Sequence, residues 1–154
     1  MLMLLLGAGY YEVDVGLPAE APEGLRIMAM NDMNNDKTTD LVTISADSTT
    51  VTVYYYDEGQ QKYATSSDFT VPSGWYVDSV IPTNAQQDLQ DLILTVSKPA
   101  TSSTGSIETK FLYYTQTLTT AGTYTWKSLE TGLDSADMLA GSQPMALDIN
   151  GDQA

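Results

Sequence analysis

Two places in the chain set the dipeptide Asp-Leu at the head of an apolar, β-branched run. Asp40-Leu41 opens "DLVTI", and Asp91-Leu92 opens "DLILTV" 51 residues later. A polar loop precedes each, and another apolar run precedes each loop, as in "GLRIMAMNDMNNDKTTDLVTI" and "GWYVDSVIPTNAQQDLQDLILTV". A third segment, "SQPMALDINGDQA", starts the same order of events again. Self-similarity at a fixed period constrains a fold more tightly than any single element, because each copy must be one supersecondary unit that buries its face on the next.

The period within each copy is that of strands. "TVTVYYYD" alternates Val51, Val53 and Tyr55 on one face with Thr52, Tyr54 and Tyr56 on the other. "DLILTVS" and "TKFLYYTQT" are further runs rich in β-branched and aromatic residues. Turn clusters separate them: "DEGQ", "VPSG", "SKPATSSTGS" and "TTAGT". The best helix candidate, "DSADMLAGS", is short and ends in Gly-Ser. The pattern predicts an all-β chain of roughly seven to nine strands, with about four between successive polar loops.

Four strands in a unit of roughly 50 to 65 residues is the sequence signature of a β-propeller blade. The expected architecture is a partial β-propeller: two four-stranded antiparallel blades plus the first strand of a third. Residues 24–74 form blade 1, 75–142 blade 2 with a degenerate loop, and 143–154 the truncated start of blade 3. Residues 1–23 lead in. Their "MLMLLLGAG" is too short to span a bilayer and reads either as a signal-like run or as a buried strand. Propellers close with four to eight blades, so the expectation is a fragment that is marginal or self-associating alone.

Composition removes several classes of function. Twenty acidic against six basic residues give a net charge of −14. A phosphate-binding surface needs clustered Lys and Arg, so nucleic acid is disfavoured, and so are anionic membrane surfaces. The chain has no histidine and no cysteine. Imidazole–thiolate zinc sites, disulfide frameworks and Ser/His or Cys/His catalysis are thereby excluded within it. No carboxylate pair stands out for glycoside hydrolysis, and no Gly-rich loop cradles phosphate. The reading is non-enzymatic.

The candidate site is the first polar loop. Asp32, Asn34, Asp36 and Asp40 fall at relative positions 1, 3, 5 and 9. Calcium takes six to eight hard oxygen ligands at about 2.3–2.6 Å. Alternate side chains of a tightly curled loop can aim at one centre, the carbonyl of Thr38 adds an oxygen, and Asp40 closes the cage. An EF-hand would carry Glu at position 12 between helices, but Thr43 stands there between strands. The alternative is a polar turn in which Asp32 and Asn34 cap local backbone groups. Lys37 occupies position 6, where a left-handed conformation would cost a non-glycine residue about 1 kcal/mol. The second loop offers only Asp88 and Asp91 and is expected to hold no metal. Asp148, Asn150 and Asp152 form an incomplete third set.

"DMNNDKTTDL" and "DINGD" resemble the loop of FG-GAP repeats, the blades of integrin α-chain propellers. "NDMNNDKTTDLVTI", "DSVIPTNAQQDLQDLILTVSKP" and "QPMALDINGD", in that order, resemble most the T-cell immunomodulatory protein family, extracellular FG-GAP propellers with one membrane span. The resemblance runs from about Gly24 to the end; Lys37 departs from the family's Gly, and Thr83, Ala85 and Gln87 from its acidic positions. It implies an extracellular or cell-surface interaction or adhesion module, the ectodomain of a membrane protein, with structural calcium and an unidentified protein partner. A carbohydrate-binding propeller is the alternative, with the ten tyrosines as a possible platform for a glycan. An enzyme whose active residues lie in other sequence is a third. Trp75 and Trp126 are expected to pack between blades.

Overall fold

The structure is a computed structural model and describes residues 2–6, 9–13, 16–17, 25–83, 89–100 and 105–130. Ten strands and no helix occur among them. Two form a separate antiparallel hairpin, β1 (Leu2–Leu6) and β2 (Gly9–Val13), so the leading apolar run folds back on the tyrosine-bearing segment after it. The other eight form two four-stranded antiparallel sheets. The first runs in the order β3 (Arg26–Asn31), β4 (Asp40–Ile44), β5 (Thr50–Asp57), β6 (Lys62–Thr70). The second places β7 (Tyr76–Thr83), β8 (Asp91–Lys98), β9 (Glu108–Leu118) and β10 (Tyr124–Glu130) side by side in the same chain order. The helix candidate over 134–142, the third-unit segment 143–154 and Asp88 lie outside the described residues. Among the described residues no helix is long and apolar enough to cross a membrane.

The two sheets repeat in detail. Each first strand carries one bulge, Met28 in β3 and Asp78 in β7, the latter two pairs further from the buried aspartate of its sheet. An extra residue there bends and twists the strand without losing the partner's register. Each second strand begins with a buried aspartate, Asp40 or Asp91. β5 alternates buried and half-buried residues over its length, as its sequence pattern predicts: Val51, Val53 and Tyr55 turn inward.

The sheets stack face to face, with β3 against β7 and β6 against β10. One continuous core joins Val42, Ile44, Val51, Val53 and Tyr55 of the first to Val77, Val80, Leu92, Leu94, Leu112 and Tyr114 of the second. Phe69 stacks on Tyr114 at 4.0 Å between ring centroids, and Tyr55 on Tyr124 at 4.2 Å. Trp126 leans on Phe69 and donates its indole N–H to Ser67 Oγ at 2.9 Å, between the sheets as expected. Trp75 packs at the core margin under the Lys110 ammonium.

The stacking is head to tail. Leu41 and Leu92 are equivalent by the repeat, yet Leu92 belongs to the inter-sheet core and Leu41 does not, although both are buried. Strand alternation carries this through the sheet. Val42 and Ile44 point at the second sheet, whereas their equivalents Ile93 and Thr95 point away from the first. A two-sheet sandwich related by a two-fold would bury the same face twice; here opposite faces meet.

Candidate cation loop and adjoining cleft

The loop from Asp32 to Thr39 is held by its own oxygens. Asp32 accepts the backbone N–H of Asp36 through Oδ1 at 3.1 Å and that of Lys37 through Oδ2 at 2.8 Å. Asn34 Oδ1 accepts the same Asp36 N–H at 3.2 Å, and its Nδ2 donates to Asp36 Oδ2 at 2.9 Å. Asp36 Oδ1 accepts the N–H of Thr38 at 2.8 Å and also its hydroxyl. These bonds need a tight curl, and the curl places Asn35 and Lys37 at φ of 59° and 72°. Asparagine tolerates that region; lysine enters it at a cost.

Asp40 stands behind this network, at the first position of β4, with no exposed surface. Its Oδ2 accepts Met33 N–H at 2.8 Å and its Oδ1 accepts Tyr56 N–H at 2.9 Å. It therefore ties the loop's inner wall to the third strand of the sheet. Asp91 does the corresponding job in the second sheet, where Oδ1 accepts Gln116 N–H at 3.1 Å and Oδ2 accepts the Tyr113 hydroxyl. The Asp-Leu dipeptide thus has a structural role at both sites that requires no ion.

The electrostatics differ along the loop. Burial opposes ionisation of Asp36, but hydrogen bonds from Thr38 and Asn34 outweigh it and hold the carboxyl below the usual range. Asp40 goes the other way. Desolvation, helped by the charges of Asp36 and Asp32, raises it to about 6 against the pull of the Tyr56 and Met33 N–H groups. Asp40 therefore feels the charges of Asp36 and Asp32 through a partly dry loop. A hard cation would relieve that repulsion, and the donor set of Asp32, Asn34, Asp36, Thr38 and Asp40 is all oxygen, which suits calcium. No cluster of three or more acidic residues is gathered as a preformed metal cage among the described residues. The oxygens of Asp32, Asp36 and Asp40 instead take up N–H and O–H groups, each retaining lone pairs for an ion. Asp148, Asn150 and Asp152 lie outside the described residues, as does most of the second loop.

A cleft of about 750 Å³ opens beside the loop, lined by Asn34, Asp36 and Thr38 and by Tyr56, Gln60 and Tyr63, among others. Tyr56 and Tyr63 meet edge to face, with centroids 5.3 Å apart. A second hollow of about 490 Å³ shares Thr38, Tyr56, Glu58 and Tyr63 with it, so the tyrosine pair lines both. At one rim Asp57 accepts the N–H and the side-chain amide of Gln60, and these bonds keep its carboxyl low.

Sequence patterning missed three residues that organise this region. Met33, inside the polar run "NDMNND", is completely buried and is the loop's anchor in the core. An isolated apolar residue between capping residues is the signal that marks it. Gln116 and Tyr113, in "YYTQT", hold Asp91, and Gln116 also reaches the first sheet; it sits two places beyond Tyr114 on the core face, a position at which a polar residue calls for a buried partner. The chain matches no family model, no curated protein and no solved structure.

Proposed function

We propose that this chain is part of an FG-GAP-type β-propeller, a non-enzymatic extracellular module for protein interaction or adhesion, in which the 31–40 loop takes a structural calcium ion. The observation that carries the proposal is the head-to-tail stacking of two equivalent sheets. Opposite faces meet, so the stack is open-ended and accepts further units, as propeller blades do and two-fold sandwiches do not. The matched aspartates Asp40 and Asp91, and a bulge in the first strand of each sheet, support the same repeat. Calcium in this reading supports the scaffold by joining Asp32, Asn34, Asp36 and the Thr38 carbonyl to the Asp40 latch. Loops on the rims are then left to meet a partner at the cell surface. The resemblance to the T-cell immunomodulatory protein family gives the reading its extracellular and membrane-associated setting.

Isothermal titration of the 154-residue chain with calcium tests the ion. Saturable binding is expected, weakened at least tenfold in Asp36→Ala, which leaves the Asp40 latch intact. Equal affinity in the two proteins refutes the site.

A second reading, carbohydrate binding, is favoured by one feature, the tyrosine pair that lines two adjoining hollows. Aromatic rings flanked by amides and hydroxyls suit a sugar's apolar face and its hydroxyl groups. A glycan array read with the wild type and Tyr63→Ala separates the two readings, since retained glycan signal in the variant would remove the tyrosine pair from consideration.

A further inference from the structure

The second sheet and the segment leading into it reach the wall of the loop at Met33. The Met33 carbonyl accepts the Gln90 backbone N–H at 3.0 Å and the Gln116 side-chain amide, also at 3.0 Å. The Met33 N–H is bound to Asp40, and its side chain is sealed in the inter-sheet core. Gln116 is itself buried, and its Oε1 accepts the Tyr55 hydroxyl at 2.7 Å, which also meets Ser67 Oγ at 2.8 Å. No buried side-chain nitrogen or oxygen among the described residues lacks a partner. A buried network with every member satisfied fixes one arrangement, because breaking any bond leaves a desolvated group unpaired.

From this we infer that Gln116, a residue of the second sheet, is a positioning residue for the cation loop of the first. By holding the Met33 carbonyl it fixes the backbone of the residue whose own N–H, in the preceding peptide, orients Asp40. The loop is then a composite of two consecutive units, and a single unit would present the same ligands in a looser set. Linkage makes the effect mutual: an ion that favours the held loop tightens the contact between the sheets. This rests on the calcium reading given above and adds to it where the loop's geometry comes from.

The test compares two variants that cut the network on either side of Gln116. Gln116→Met keeps the volume and removes the bond to Met33. Tyr55→Phe removes the bonds to Gln116 and Ser67 and leaves the Met33 contact in place. Gln116→Glu, which keeps the acceptor for Tyr55 but sets an oxygen against the Met33 carbonyl, serves as a third if Gln116→Met does not fold. Calcium affinity is measured by titration. Hydrogen exchange of the Met33 and Tyr56 amides is followed in calcium-free protein. The expected result is a tenfold or greater loss of affinity and faster exchange of both amides in Gln116→Met or Gln116→Glu, with Tyr55→Phe within about threefold of wild type. Unchanged affinity in the Gln116 variants overturns the inference and leaves the calcium reading standing. Equal losses in Gln116→Met and Tyr55→Phe also overturn it, because general loosening of the core would then account for both. No binding by the wild type refutes the calcium reading and the inference with it.

Discussion

At the residue scale, Asp40 and Lys37 make opposite demands on the loop. Asp40 is raised to about 6 by burial, whereas in the unfolded chain it titrates near 3.8. The folded state therefore holds more protons than the unfolded state between about pH 4 and 6, and stability from this group falls as pH rises through that window. Asp40→Asn should flatten that part of a melting-temperature profile, and a profile unchanged by the substitution would contradict the assignment. Calcium needs the ionised form, so its binding should release a proton near pH 5–6 and weaken on further acidification. Titrations in buffers of different ionisation enthalpy would reveal the proton. Lys37 sits at φ 72° within the loop. Lys37→Gly should relieve about 1 kcal/mol of backbone cost and raise the melting temperature by about 2–4 °C. The same change should tighten calcium by removing a like charge, which a parallel titration would check.

At the scale of elements, the unit is a meander whose second strand starts with an aspartate that reaches across to the third. Asp91 performs this task on the Gln116 N–H and the Tyr113 hydroxyl. Asp91→Ala should destabilise the chain by about 2–4 kcal/mol, since it strands a buried N–H as well as losing two bonds. Urea melts measure that loss, and the calcium affinity of the first loop should change far less than in Asp36→Ala. The strands themselves were legible from the sequence. Alternation in "TVTVYYYD" and the β-branched runs at 91–98 and 108–118 specify their faces directly, because the pleat has a period of two. The hairpin of β1 and β2 was not, since "MLMLLLGAG" is apolar without alternation and carries no strong turn dipeptide. The double duty of Asp40 was also hidden. Spacing marks it as a ninth-position ligand, but only the folded sheet brings the Tyr56 N–H, 16 residues away, to its oxygen.

On the scale of the whole molecule, the repeat was legible from Asp40 and Asp91, while the sense of stacking was not. Two equivalent sheets can meet by like faces or by opposite faces, and composition does not choose between them. The network of Tyr55, Gln116, Met33, Ser67 and Trp126 makes the choice, by pairing polar groups that only the head-to-tail arrangement brings together. An open-ended stack presents at its far side the equivalent of a face it has already buried. The 154-residue chain should therefore melt at a temperature that rises with protein concentration, and a sharp, concentration-independent melt would count against the open stack. The claim on which the functional account turns is that the 31–40 loop holds a cation. Tyr56 and Tyr63 lie beside that loop, so terbium bound there would be sensitised by tyrosine excitation. The account predicts terbium emission that calcium displaces and that Asp36→Ala abolishes; no emission, or equal emission from wild type and variant, would contradict it.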